Sequence, residues 1–217
     1  MALYSSVYTQ LCKLYEIYNN DLKPLISSIE SITGQFPGMI LNEIRAYNDH
    51  VARCFRQGIS EQEALSELKK CKSHLVRAIL DCYKILLNHY YEDVRTFYEQ
   101  YKDVNLVLVN DGKFLPKLIQ LKNTAEEKSI SARLEEANAF PEKEKSYSAY
   151  MDAVLAYKDV EKHILDHEHG LSLVTQFATD NSEKEDKRDW KFALISAGIG
   201  AVLGAILGAL ITFFTTK

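Results

Sequence analysis

Two short stretches bring together residue types that can carry chemistry. In "RAYNDH", Arg45 precedes His50 by five positions. A guanidinium binds anions, and an imidazole moves protons near neutral pH. Both residues also have a purely structural use. Arg45 can pair with Asp49 one helical turn on, and His50 can sit at a helix contact. In "HILDHEH", His163 and His167 stand four apart, which puts two imidazoles on one helical face with the geometry to bind zinc. No H-E-x-x-H and no third ligand at a known spacing accompany them, so they read as solvated helix surface and no metal is expected. The chain has no Gly-rich phosphate loop, no nucleophile elbow and no C-x-x-C pair. It offers little as a conventional enzyme, and no cofactor is expected.

A third constellation lies near the C-terminus. From Phe192 to Thr216 there is no ionisable side chain. As a helix, this stretch spans roughly 37 Å, against about 30 Å for the hydrocarbon core of a bilayer. Residues 192–216 therefore read as a single transmembrane helix. Ser196, Gly200, Gly204 and Gly208 recur every four residues, with Ala197, Ala201 and Ala205 as the adjacent ridge. Lipid gives helices no hydrophobic reason to associate, whereas small residues let two backbones approach closely. A ridge two residues wide offers two contact edges, which suits a ring of sister subunits. The expected partners are the bilayer and other copies of the chain, in a homo-oligomer of four or more. Lys184, Lys187, Arg188 and Lys191 precede the stretch and only Lys217 follows it, so the N-terminal domain is expected on the cytoplasmic side. The opening "MALYSSVYTQ" lacks a basic region followed by an apolar run, so no signal peptide is read there.

The elements that must position these groups are helices. The fold class is all-α: an elongated helical bundle over residues 1–177, a polar juxtamembrane connector at 178–191, then the transmembrane helix. Leu3, Val7, Leu11, Leu14 and Tyr18 mark one face of a first helix, which loosens near Asn19–Asp21 and Pro24 and resumes to Gly34. "GQFPG" is a turn. Ile40, Ile44, Tyr47, Val51 and Cys54 mark a second helix. Ser60 and Glu63 form a capping box that opens a third. From Ala64 through Leu68, Cys71, Leu75, Ala78, Cys82 and Ile85 to His89, its seam repeats at four-three spacing out to about Asp103. "NLVLVNDGKFLP" is a break rather than a strand. A helix follows from about Phe114 to Asn138. Pro141 opens a last one, running to about Phe177 with Gly170 inside it.

Charge is uneven. Between Gly38 and Arg77 there are seven Lys/Arg against five Asp/Glu, while between Glu126 and Glu168 there are eleven acids against six bases. The basic stretch reads either as solvated surface or as an anion site, with Arg45, Arg53, Arg56, Lys69, Lys70, Lys72 and Arg77 as candidate ligand-binding residues. Cys12, Cys54, Cys71 and Cys82 read as reduced core thiols.

The phrases "EIRAYNDHVARCF" and "CKSHLVRAILDCYKIL", over about residues 38–90, resemble the HEPN family of small helical domains. Many of these are ribonucleases. The resemblance implies that Arg45 and His50, paired across a dimer, position and activate an RNA phosphodiester. A polar residue usually follows the arginine in that family; here it is Ala46. The whole plan, a helical domain joined to a short membrane segment, resembles the membrane effectors of prokaryotic antiphage defence. Among them are the Hailong-type effectors, which short DNA oligomers hold closed in a basic chamber. That resemblance implies a pore in the cell inner membrane, gated by the cytosolic domain through a nucleotide or a short DNA or RNA oligomer. A tail-anchored tether is the remaining alternative. Pro141 and the polar connector interrupt the unbroken heptads that a fusion-type coiled coil needs.

Overall fold

The computed structural model describes residues 3–179. The transmembrane stretch and its ridge (Ser196, Ala197, Gly200, Ala201, Gly204, Ala205, Gly208) lie outside the described residues. So does the connector from Asp180 onward. Among the described residues every regular element is helical, as expected for an all-α chain. None of these helices is long and apolar enough to cross a membrane.

The chain divides into two compact units. One comprises the residues up to Glu99 together with Pro116–Asp166. The other comprises Gln100–Leu115 together with the described residues from His167 onward.

In the first unit, α1 (Ser5–Ile17) passes through one π-type turn, Tyr18–Leu22, into α2 (Lys23–Thr33). The loosening expected at Asn19–Asp21 and Pro24 is this wide turn, not a gap. Proline has no N–H to donate, and a wider turn is one way a helix absorbs that. Gly34, at φ 68°, closes α2 with its N–H on the Glu30 carbonyl at 2.8 Å. Then come α3 (Gly38–Arg53) and α4 (Glu61–Gln100). The capping box forms as read: Glu63 accepts from the Ser60 backbone N–H at 2.9 Å, and the Glu63 N–H reaches the Ser60 hydroxyl at 3.3 Å. α4 has 40 residues, roughly 60 Å of helix. Its seam is buried from Ala64 to Cys82 and then moves to Leu86, Tyr90, Val94 and Phe97, leaving Ile85 and His89 half-exposed. A straight helix drifts by about 20° per heptad against a 3.5-residue repeat, which accounts for the change of face.

α5 (Phe114–Asn138) has the bounds read from the sequence. Leu118, Ala125 and Ala132, seven apart, are fully buried, and the two alanines permit close packing. Pro141 does not open the last helix. It follows a cis peptide bond and precedes a 3₁₀ turn, Lys143–Ser146, before α6 (Tyr147–Leu165). α6 stops at Leu165, and a turn at Asp166–His167 separates it from helical residues 168–179. The single helix expected to Phe177 is therefore two. Glu136 ties α4, α5 and α6 together. Its carboxylate accepts from the Tyr150 hydroxyl at 2.7 Å, Lys84 at 3.0 Å and Lys143 at 3.2 Å.

In the second unit, Asn110, Asp111 and Gly112 are successively left-handed (φ 50°, 51° and 81°), so "NDG" is a sharp turn within the stretch read as a break. Asn110 bonds the His167 Nε2 at 3.0 Å. Val109 packs so closely on Gly170 that a Cβ there would lie 3.2 Å from its Cγ1.

Candidate functional site

The sequence spaces glutamate and histidine identically on two successive helices. Glu43 and His50 on α3 are seven apart, as are Glu67 and His74 on α4. The helices run antiparallel along this stretch, so each histidine meets the other helix's glutamate. His50 Nδ1 lies 2.6 Å from Glu67, and His74 Nδ1 lies 2.7 Å from Glu43. Between them the two imidazoles stack, with centroids 5.2 Å apart and planes inclined by 27°. All four side chains are largely shielded from water.

Cations surround this exchange. Lys70 donates to Glu67 at 2.6 Å, and Arg53 lies 3.6 Å from it. Hydrogen bonds from Lys70 and then His50 pull the Glu67 carboxyl from 4.5 down to about 2. Partial burial opposes ionisation of Glu43, but hydrogen bonds from His74 and Arg77 outweigh it and hold that carboxyl below its ordinary value. An ionised carboxylate only accepts, so the His50 Nδ1 is the donor. Its Nε2 has no hydrogen-bond partner among the described residues and is the free nitrogen of an oriented ring. His74 differs. Arg77 Nη2 is 2.7 Å from its Nδ1, so guanidinium and carboxylate compete for one nitrogen.

The core below is thiol-rich and inert. Cys54 and Cys71 are buried, and Cys71 directs its Sγ at the Tyr47 carbonyl at 3.6 Å. Burial pushes the Cys71 thiol up to about 12, far from the thiolate that reacts. Cys82 is also buried, whereas Cys12, read as a core thiol, is exposed.

The residues singled out from the sequence separate. Arg45 is exposed and makes no ion pair among the described residues, so the pairing with Asp49 is not formed. Five residues of helix turn Arg45 and His50 about 140° apart, so one chain does not bring them together. Arg53 and Arg56 line a cleft of 320 Å³ that reaches Glu67. Lys69, Lys72 and Arg77 line another of 370 Å³ beside Phe140 and Glu144. Lys70 is bound to Glu67. The candidate anion ligands thus serve two clefts rather than one. His163 is on α6, while His167 lies beyond that helix's end. Among the described residues no group of three His, Cys, Asp or Glu is gathered as for a metal ion.

Sequence reasoning missed His74, Glu43 and Glu67. The repeated Glu-x6-His spacing was the signal that could have found them. The arrangement can do acid–base chemistry. A carboxylate-oriented imidazole with one free nitrogen suits proton transfer. Compared with known proteins, the chain matches no family model, no curated protein and no solved structure.

Proposed function

We propose that the chain is a homo-oligomeric membrane effector of antiviral (antiphage) defence. Residues 192–216 cross the cell inner membrane, and the helical units on the cytoplasmic side control a pore. The observation that carries this reading is the uncharged 25-residue stretch with Gly200, Gly204 and Gly208 on one ridge. The α3–α4 pair supports a gating role, because its basic residues border clefts open to an anionic ligand. A nucleotide or short oligonucleotide is the ligand class. Liposome leakage tests the proposal. The full chain releases a trapped dye, and Gly204→Leu, which holds neighbouring backbones apart, abolishes release. A variant that leaks like the parent removes the glycine ridge from the pore.

One observation favours a second reading, a membrane-tethered HEPN-like ribonuclease. His50 is a glutamate-oriented imidazole with a free Nε2, and its partner Glu67 also borders the cleft that Arg53 and Arg56 line. In that reading the 2′-oxygen bonds the phosphorus as its proton passes to the His50 Nε2, the bond to the 5′-oxygen breaks and that oxygen takes up a proton, and the arginines hold the phosphodiester. Cleavage of single-stranded RNA by the purified chain, lost in His50→Ala and retained in Gly204→Leu, would support the ribonuclease. Absence of cleavage in the parent chain contradicts it.

A further inference from the structure

The cleft between α4 and the α5–α6 connection combines three features. The first is charge. Lys69, Lys72, Arg77 and Lys143 line it against Glu142 and Glu144, a surplus of two positive charges in an otherwise acidic chain. The second is availability. Arg77 is held by Glu43, and Lys143 by Glu136. Lys69 has no ion pair among the described residues, and Lys72 is bound only to Glu144 through an exposed contact. Exposed ion pairs contribute little, so a phosphate dianion can take Lys72 from Glu144 at small cost. The third is an aromatic ring. Phe140 is 78% exposed, the highest value among the large apolar side chains of the described residues, and it stands at the rim of this charged cleft.

A bare phosphate site needs no phenyl ring, and an apolar peptide site has no use for Lys69 and Lys72. Phosphate and a planar ring in one ligand answer both, because aromatic side chains stack on nucleobases of any kind. At 370 Å³ the cleft falls within the range of small-ligand sites. A volume of that order suits a single nucleotide. We propose that this cleft binds a nucleoside monophosphate, its phosphate on Lys69 and Lys72 and its base against Phe140. The proposal names the ligand of the gating reading. It rests on that reading only for the consequence of binding, not for binding itself.

Titration calorimetry on the detergent-solubilised full chain tests it, with AMP, GMP, adenosine and inorganic phosphate as probes. AMP and GMP are expected to bind alike, and adenosine and phosphate at least tenfold more weakly. Phe140→Ala, at an exposed position with little bearing on folding, should weaken AMP at least tenfold and leave phosphate unchanged. Lys69→Glu should weaken both. AMP binding that is absent, or unaffected by both substitutions, overturns the site. So does a short single-stranded oligonucleotide that binds more than tenfold tighter than AMP. Liposome leakage separates the two claims. Phe140-dependent AMP binding that leaves leakage unchanged keeps the site and removes the gating role. A leaking chain that binds no AMP removes the site and keeps the pore.

Discussion

Two half-buried carboxylate clusters cross the helices of the first unit, and they are built differently. At Glu136, both oxygens are filled by Lys84, Lys143 and the Tyr150 hydroxyl, so nothing is left over. Burial opposes ionisation of Glu136, but the bonds from Tyr150, Lys84 and Lys143 outweigh it and hold the carboxyl down. At the α3–α4 pair, two carboxylates orient two stacked imidazoles, and the His50 Nε2 stays uncommitted. A saturated cluster joins helices. One with an unused nitrogen retains capacity for chemistry. The distinction lies in donor–acceptor accounting, not in residue type or depth.

The sharpest way to break this contrast is at Glu136. Glu136→Ala leaves the hydroxyl of fully buried Tyr150 without its partner and removes the anchor of two lysines. A loss of about 3 kcal/mol is expected in denaturant unfolding of the solubilised chain. A loss near zero would mean the cluster joins nothing.

A smaller, pH-dependent effect is expected at Glu67. Its carboxyl falls from 4.5 unfolded to about 2 folded. Its contribution is therefore complete above about pH 5 and disappears as pH drops towards 2. Glu67→Gln should lower stability at neutral pH and flatten the acid limb between those values. An acid limb identical to the parent's would show that the His50 and Lys70 contacts do not persist in solution.

The smallest effect is a labelling pattern that leaves stability untouched. Cys12 alone is exposed, while burial pushes the Cys71 and Cys82 thiols up to about 12. One thiol per native chain should react with a maleimide at pH 7. Reaction at Cys54 or Cys71 would show that the α3–α4 seam opens below the histidines.

Local signals made the helices legible. The Ser60–Glu63 box, the α5 limits and the Asn110–Gly112 turn each depend on residues within a few positions of one another, and the structure has them where the pattern put them. The α4 seam was legible through Cys82. It was misplaced at Ile85 and His89 because a strict 3.5 repeat was carried along a straight helix. The ring of Pro141 suits a helix start; the cis bond before it is not encoded in periodicity. The candidate site was half legible. His50 stood out by type, whereas its meaning depends on Glu67, 17 positions away on another helix. Helical rotation sends Arg45 and His50 of one chain to different surroundings, so the pairing that the HEPN resemblance implies is one between two chains.

The central claim is that sister chains cluster through the ridge at Gly200, Gly204 and Gly208, with the helical units governing that cluster. The most direct measurement is the protein mass of the full chain in mild detergent, by light scattering with the detergent contribution subtracted. A particle of four or more 24.8 kDa chains, reduced to smaller species by Gly204→Leu, is the predicted result. A monomer at every concentration tested would contradict it.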